Sequence, residues 1–359
     1  MSEYVMLFHG DLSIREHLLA AQQQCAIEDT PWKCFQHVIF IPGLFHLKMA
    51  SADAIWHTFL QPISAQDDDS ALMQDIGILH PKETGIYGSK PGFHYMHQLI
   101  TYDVEAKKHN SLHMDLEKFA ASEPSFDDLK NMADQLACTY IANHRLQWMR
   151  SAQHAQCNKQ YKNCLLLNKY MLLYEELSYA MNLGDIGQVE TCVVAWIMIL
   201  KATWKHKYAM HMTDFLCNTH FYYPKGLRKA IWYHILINPT GKKGKFQAVD
   251  WCVINGGKGS NHTVDHIILE SPLVQWNFLR THLTNQHAKA DMAQTFKQLC
   301  MYIAEHSPHK PMLGQNSKYC VPDLFSKGLK LIDKKEIGVD VEAGEDHATL
   351  EDLAVELGI

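Results

Sequence analysis

The chain has 359 residues, enough to bury a full core as one large domain or two, and its 47% apolar and 20% charged content is that of an ordinary globular protein. The longest apolar run, Cys192 to Leu200, is far too short to span a bilayer, and the N-terminal segment Met1 to Asp11 lacks the basic start and apolar core of a signal peptide. Ten cysteines form no CxxC pair, so reduced and mostly buried thiols in an intracellular protein are expected.

The net charge of −6 is unevenly placed. Residues 331–359 hold nine acids against only Lys334 and Lys335, a balance of −7, which leaves the rest of the chain near +1. Such a tail is expected to be solvated and disordered, and it offers protein partners an acidic segment. The near-neutral body gives little support to strong non-specific nucleic-acid binding by the chain as a whole.

In chain order, Tyr4 to Phe8 is expected to form a strand, and Asp11 to N-cap a helix from Leu12 to about Gln24. A polar turn at Glu28–Pro31 leads to a second strand, His37 to Ile41, which Pro42-Gly43 ends. A helix starts at Leu44 and runs towards Pro62. Asp67 to Ser70 and His80 to Gly92 are expected to be loops, because Pro81, Gly85, Gly88, Pro91 and Gly92 break any regular pattern.

From Ser125 onward the periodicity is helical. Ser125 and Asp128 resemble a capping box, and Leu129, Met132, Ala133, Leu136, Tyr140, His144 and Trp148 then share one helix face. Further helices are expected over Leu165–Met181, ended by Gly184, and from Asp185, which opens the helix with Gln188, through the apolar Cys192–Leu200. Two more are expected over His206–Cys217 and Leu227–Ile237. Phe246 to Ile254 is expected as a lone strand, followed by the loop Gly256 to Asn261 and a helix from about Thr263 to Glu270. The expected architecture is mainly α with a small N-terminal α/β portion. It divides into a small α/β portion (1–110), a helical domain with a Gly/Lys-rich loop (111–330) and an acidic tail (331–359).

Several groups invite a chemical role. Asp11 follows the first strand, and a carboxylate at a strand end either caps the following helix or holds a catalytic divalent metal, Mg or Mn. The position after Pro42-Gly43 that would supply a second carboxylate is Leu44, and His46 is the nearest polar candidate there. Glu176, beside Glu175 near a helix end, could lend an acid to such a site. Lys242, Lys243, Lys245 and Lys258 with Trp251 suggest a basic, aromatic patch for nucleic acid, and GGKGSN a weak phosphate cradle lacking a full P-loop. Lys205, His206, Lys207, His211 and His220 do not align three imidazoles on one helix face, so no zinc site is expected from them. Each of these residues also has an ordinary reading as a cap, a turn or a solvated side chain.

The segments HGDL (9–12), EDTPWKCFQHVIFIPGLFHLKMASADAIW (28–56), HPKETG (80–85) and the helical stretch 168–212 resemble a fungal domain-of-unknown-function family, number 6589. So do residues 221–251, 256–274, 306–311 and 321–328. The resemblance implies transposase-derived relatives with a degenerate RNase H-like relation, some carrying an acid where this chain has Leu44. It also implies that the chain is an N-terminally truncated gene product, shortened after Val253 and after Gln275. On this reading the protein is a domesticated or decayed transposase-like protein, nuclear rather than cytoplasmic, that contacts DNA and lacks intact catalysis. Two alternatives stand beside it: a non-catalytic helical protein-interaction module, and a metal-dependent nuclease or strand transferase using Asp11. None of the three needs a membrane.

Overall fold

The computed structural model describes residues 5–111, 121–140, 158–251, 293–306, 308 and 317–333. The described chain is mainly helical, and its strands form two two-stranded sheets. It divides into two compact units, each assembled from separated segments of sequence.

The first unit is built from residues 1–51, 176–290 and 328–332. Strand β1 (Met6–Gly10) leads directly into helix α1 (Leu12–Gln24), and β2 (Val38–Pro42) returns parallel to β1, with Met6 opposite Val38 and Gly10 opposite Pro42. Asp11 caps α1 by accepting from Ile14 N at 3.0 Å, the N-cap geometry expected for an aspartate ahead of an apolar helix. Helix α2 (Leu44–Phe59) begins at once after Pro42-Gly43. Later in the chain come α8 (Ile186–Ala202) and α9 (His206–Cys217), a π-helical turn at Asn218–Tyr222, and α10 (Lys225–His234). A short hairpin of β3 (Leu236–Ile237) and β4 (Gln247–Ala248) follows. Ile41, Leu44, Leu47, Val193, Trp196, Leu200, Met212 and Ile231 form the interior of this unit. Arg15 ties α1 to α9 through a 2.7 Å ion pair with Asp214.

The second unit comprises residues 52–175, 291–327 and 333–359. Its described helices are α3 (Leu72–Leu79), α4 (Thr84–Gly88), α5 (Phe93–Ser111), α6 (Phe126–Tyr140) and α11 (Ala293–His306). Helix α7 (Lys159–Leu183) runs through both units, as does α2, and α12 (Leu324–Asp333) closes the described chain. Helix α11 packs on α3 and α5 over Ile76, Leu99, Leu299 and Ile303. Inside this unit Lys107 is buried between two buried carboxylates, 2.6 Å from Asp103 and 3.4 Å from Asp75. Burial holds the Asp75 carboxyl well above the usual carboxylate range, and it raises the buried Cys164 thiol to about 12.

Most helices fall where the periodicity places them, and both local caps form: Ser125 N donates to Asp128 Oδ2, and Gln188 N to Asp185 Oδ1. Four expectations change. His80–Gly92 contains α4, and the helices over Leu72–Leu79 and Phe93–Ser111 were not anticipated. The helix expected over Leu227–Ile237 stops at His234, because Leu236 and Ile237 pair with Gln247 and Ala248. The strand expected from Phe246 to Ile254 is therefore not alone, and it turns helical by Val249, since Asp250 faces inward to a tertiary partner described below. The described cysteines are all free thiols, but only Cys34, Cys164 and Cys192 are buried, while Cys138 and Cys320 are exposed. No described helix is long and apolar enough to cross a membrane. GGKGSN with Lys258, the helix expected at 263–270, the positions of His144 and Trp148, and the acidic tail beyond Asp333 lie outside the described residues.

Candidate functional site

Parallel pairing brings the ends of β1 and β2 together, so the residues following Gly10 and Pro42 leave the sheet at the same edge. This corner is closed. Gly43 N donates to Gly10 O at 2.7 Å. Asp11 spends Oδ1 on Ile14 N and on the Ser13 hydroxyl at 2.8 Å. Leu44, at the position where a second acid would stand, is 1% exposed and belongs to the core.

The carboxylate at this corner comes from elsewhere in the sequence. Asp250, buried at 3% exposure, accepts from Phe45 N at 3.2 Å and from His46 N at 3.1 Å. It also lies 2.9 Å from His46 Nδ1, which carries the shared proton. Asp250 is thus a remote cap for α2: it satisfies amides at the helix start and sits at the positive end of the helix dipole. Gly43 is required by this arrangement, since a Cβ there would lie 2.2 Å from Asp250 Oδ2. Half-buried His9 sits close enough to feel both Asp250 and His234. Burial holds its imidazole down at about 4 against the pull of Asp250, so it is neutral at pH 7. Of the candidate residues at this corner, then, Asp11 caps α1 and His46 pairs with Asp250. Glu176 lies exposed on α7; its charge, after burial, helps hold the Cys192 thiol up at about 11. Among the described residues, no group of three or more His, Cys, Asp or Glu is placed to hold a metal ion.

A second region of the same unit has a different character. Between Asp214 and Asp250 the chain carries no acid and six cations, Lys225, Arg228, Lys229, Lys242, Lys243 and Lys245. Lys242, Lys243 and Lys245 are exposed on the connection between β3 and β4, where Asn238 Nδ2 donates to Lys242 O at 2.8 Å and steadies the turn. On α10, Lys225, Lys229 and Tyr233 recur every four residues, share one face and are all exposed.

A buried acid ties this segment to α8. Glu190 of α8 accepts from Trp232 Nε1–H at 2.9 Å and pairs with His220 Nε2 at 3.0 Å, so both its oxygens are engaged. Arg228 lies over the Trp232 ring, 5.1 Å from its centre. A carboxylate, an imidazole and an indole from three elements thus hold the π-helical turn and α10 in place. Of the histidines between 205 and 220, His220 serves this contact. His211 hydrogen-bonds Arg15 on the other side of α9, where burial, then Arg15, holds it down at about 4.

Lys242, Lys243 and Lys245 were legible from the sequence, whereas Asp250, Glu190, Arg228 and the α10 stripe were not singled out. The acid-free stretch would have flagged the cations of α10. No local pattern marks Asp250 or Glu190, whose roles depend on contacts 204 and 30 positions away.

The chain belongs to the family of unknown function DUF6589, whose family model matches residues 1–291. No curated protein and no solved structure matches it.

Proposed function

Starting from membership of a family with no assigned activity, we propose that this chain is a transposase-derived protein that binds nucleic acid through its basic segment and performs no strand chemistry of its own. On this reading the β1–α1–β2 unit is the remnant of an RNase H-like sheet, and the protein works in the nucleus on DNA. The observation that carries the binding half is the exposed set of cations on α10 and the β3–β4 connection, uninterrupted by any acid from residue 215 to 249. Phosphate contacts by Lys and Arg supply most sequence-independent affinity, and a local positive field suffices even on a chain of net negative charge. What supports the non-catalytic half is Asp11 acting as a helix cap beside the buried Leu44.

Binding of the full chain to labelled DNA, measured across a salt series, tests the first half. Affinity should fall steeply with salt, and replacing Lys242, Lys243 and Lys245 together by Gln should lower the log–log slope by about 2 to 3, near one counterion per lost phosphate contact. Absence of binding at low salt, or an unchanged slope in the triple variant, refutes it. Mg- or Mn-dependent nicking that disappears in Asp11→Ala would refute the second half.

A further inference from the structure

The basic segment differs from a plain duplex-binding surface in what stands beside its cations. Phe221 is 81% exposed, Tyr222 76% and Tyr233 77%. Exposing three large aromatic rings to water within thirteen residues is costly unless a partner covers them. Two of the three sit on the π-helical turn, a local geometry that breaks the α9 hydrogen-bond ladder and recurs at functional sites. The third ends the α10 stripe after Lys225 and Lys229.

The surroundings make this a rigid platform. The turn bearing Phe221 and Tyr222 is anchored through His220 to the buried Glu190, and α10 is anchored to the same carboxylate through Trp232. Tyr223 N also donates to Asn218 O at 2.8 Å, which closes the turn. Ile231, on the opposite side of α10 from the stripe, is fully buried and fixes the rotation of the helix. Exposed rings on a frame held this way lose little entropy when another ring stacks on them.

In a duplex, bases are already stacked on one another and present edges, not faces; an exposed ring cannot stack on them without unstacking a step at a cost of a few kcal/mol. In a single strand the base faces are available, and a basic groove with aromatic side chains is how single strands are held without sequence preference. We propose that the ligand of this face is single-stranded nucleic acid, with Phe221, Tyr222 and Tyr233 stacking on successive bases while Lys225, Lys229 and the lysines of the β3–β4 connection follow the phosphates. Glu190 is a positioning residue, acting through His220 and Trp232. The inference rests on the nucleic-acid reading above and narrows it to one strand state.

The test is fluorescence anisotropy of the full chain with a labelled 20-nucleotide oligo-dT, an oligo-U of the same length and a 20-base-pair DNA duplex, at one fixed salt concentration. The single strands should bind more tightly than the duplex, and the oligo-dT and oligo-U arms show whether the sugar matters. Tyr233→Ala and Phe221→Ala should each weaken single-strand binding by about 5- to 150-fold, the range for loss of one base–aromatic stack, and leave duplex binding nearly unchanged. Tyr233→Trp should restore it. Both positions are exposed, so circular dichroism should be unaltered in all three variants. Duplex binding equal to or tighter than single-strand binding, or single-strand affinity unmoved by both alanine variants, overturns this inference while leaving the DNA-binding proposal standing. Binding to none of the three probes at low salt overturns both.

Discussion

Removal of the Asp250 carboxylate gives the sharpest test of how the first unit is held together. Asp250→Ala deletes the acceptor for three donors, Phe45 N, His46 N and His46 Nδ1–H, all buried. Losing a helix cap alone costs about 0.5–2 kcal/mol, and each buried donor left without an acceptor costs about 1–3 kcal/mol. These overlap because they concern the same bonds, so we expect about 3–5 kcal/mol in all. Urea unfolding followed by circular dichroism should show the midpoint falling by roughly 1–5 M, for a slope of about 1–3 kcal/mol per M. Asp250→Asn, which keeps one acceptor oxygen and the shape, should lose less. Gly43→Ala drives a Cβ to within 2.2 Å of Oδ2 and must displace the carboxylate from the same donors. Its cost should therefore be strongly non-additive with Asp250→Ala, with a coupling of about 1 kcal/mol or more. The reasoning fails if Asp250→Ala costs no more than Asp11→Ala, the loss of an ordinary cap worth about 1 kcal/mol, or if the two substitutions simply add.

Lys107→Met should destabilise the second unit by about 3–5 kcal/mol, since it leaves Asp75 and Asp103 buried together without their cation; a urea midpoint like that of the unaltered protein would contradict the ion cluster. Acid should weaken the first unit through two of its histidines. His9 and His211 are held near 4 in the folded chain, against 6.5 unfolded, so below pH 6.5 the unfolded state takes up protons that the native state refuses. Stability contributed by these residues is therefore present above pH 6.5 and lost as pH falls towards 4, by up to roughly 3 kcal/mol for His9 and by less for His211. Urea midpoints between pH 4.5 and 7 should show this slope, flattened in His9→Asn; a flat profile in the unaltered chain would refute it.

The legible parts of this protein are those governed by contacts close in sequence. The cap at Asp11, the strand ending at Pro42-Gly43, the capping box at Ser125 and the Asp185 cap each involve partners within a few residues, so residue type and spacing suffice. Helical periodicity likewise marked α8 and α9, since one face must be buried whatever it packs against. Where the expectation failed, a distant partner decided. Residues from Phe246 onward carry a strand-like pattern, but Asp250 is pulled inward by amides some 200 positions earlier, and the backbone turns to deliver it. Leu236 and Ile237 leave the helix because a strand partner follows the basic turn.

The same division holds for the candidate sites. The sequence alone determined the mainly helical class with a small α/β portion, the family, the absence of an acid at Leu44, and an acid-free run of cations from 215 to 249, because these are properties of residue identity and order. Only the tertiary structure decided what the titratable groups do. Asp250 is spent on a helix start, His46 and His220 on buried carboxylates, and the rings of Phe221, Tyr222 and Tyr233 face water. The reason is physical: a charge or a ring has the same identity wherever it lies, but its availability to a ligand depends on which groups the fold has already brought within hydrogen-bonding distance of it.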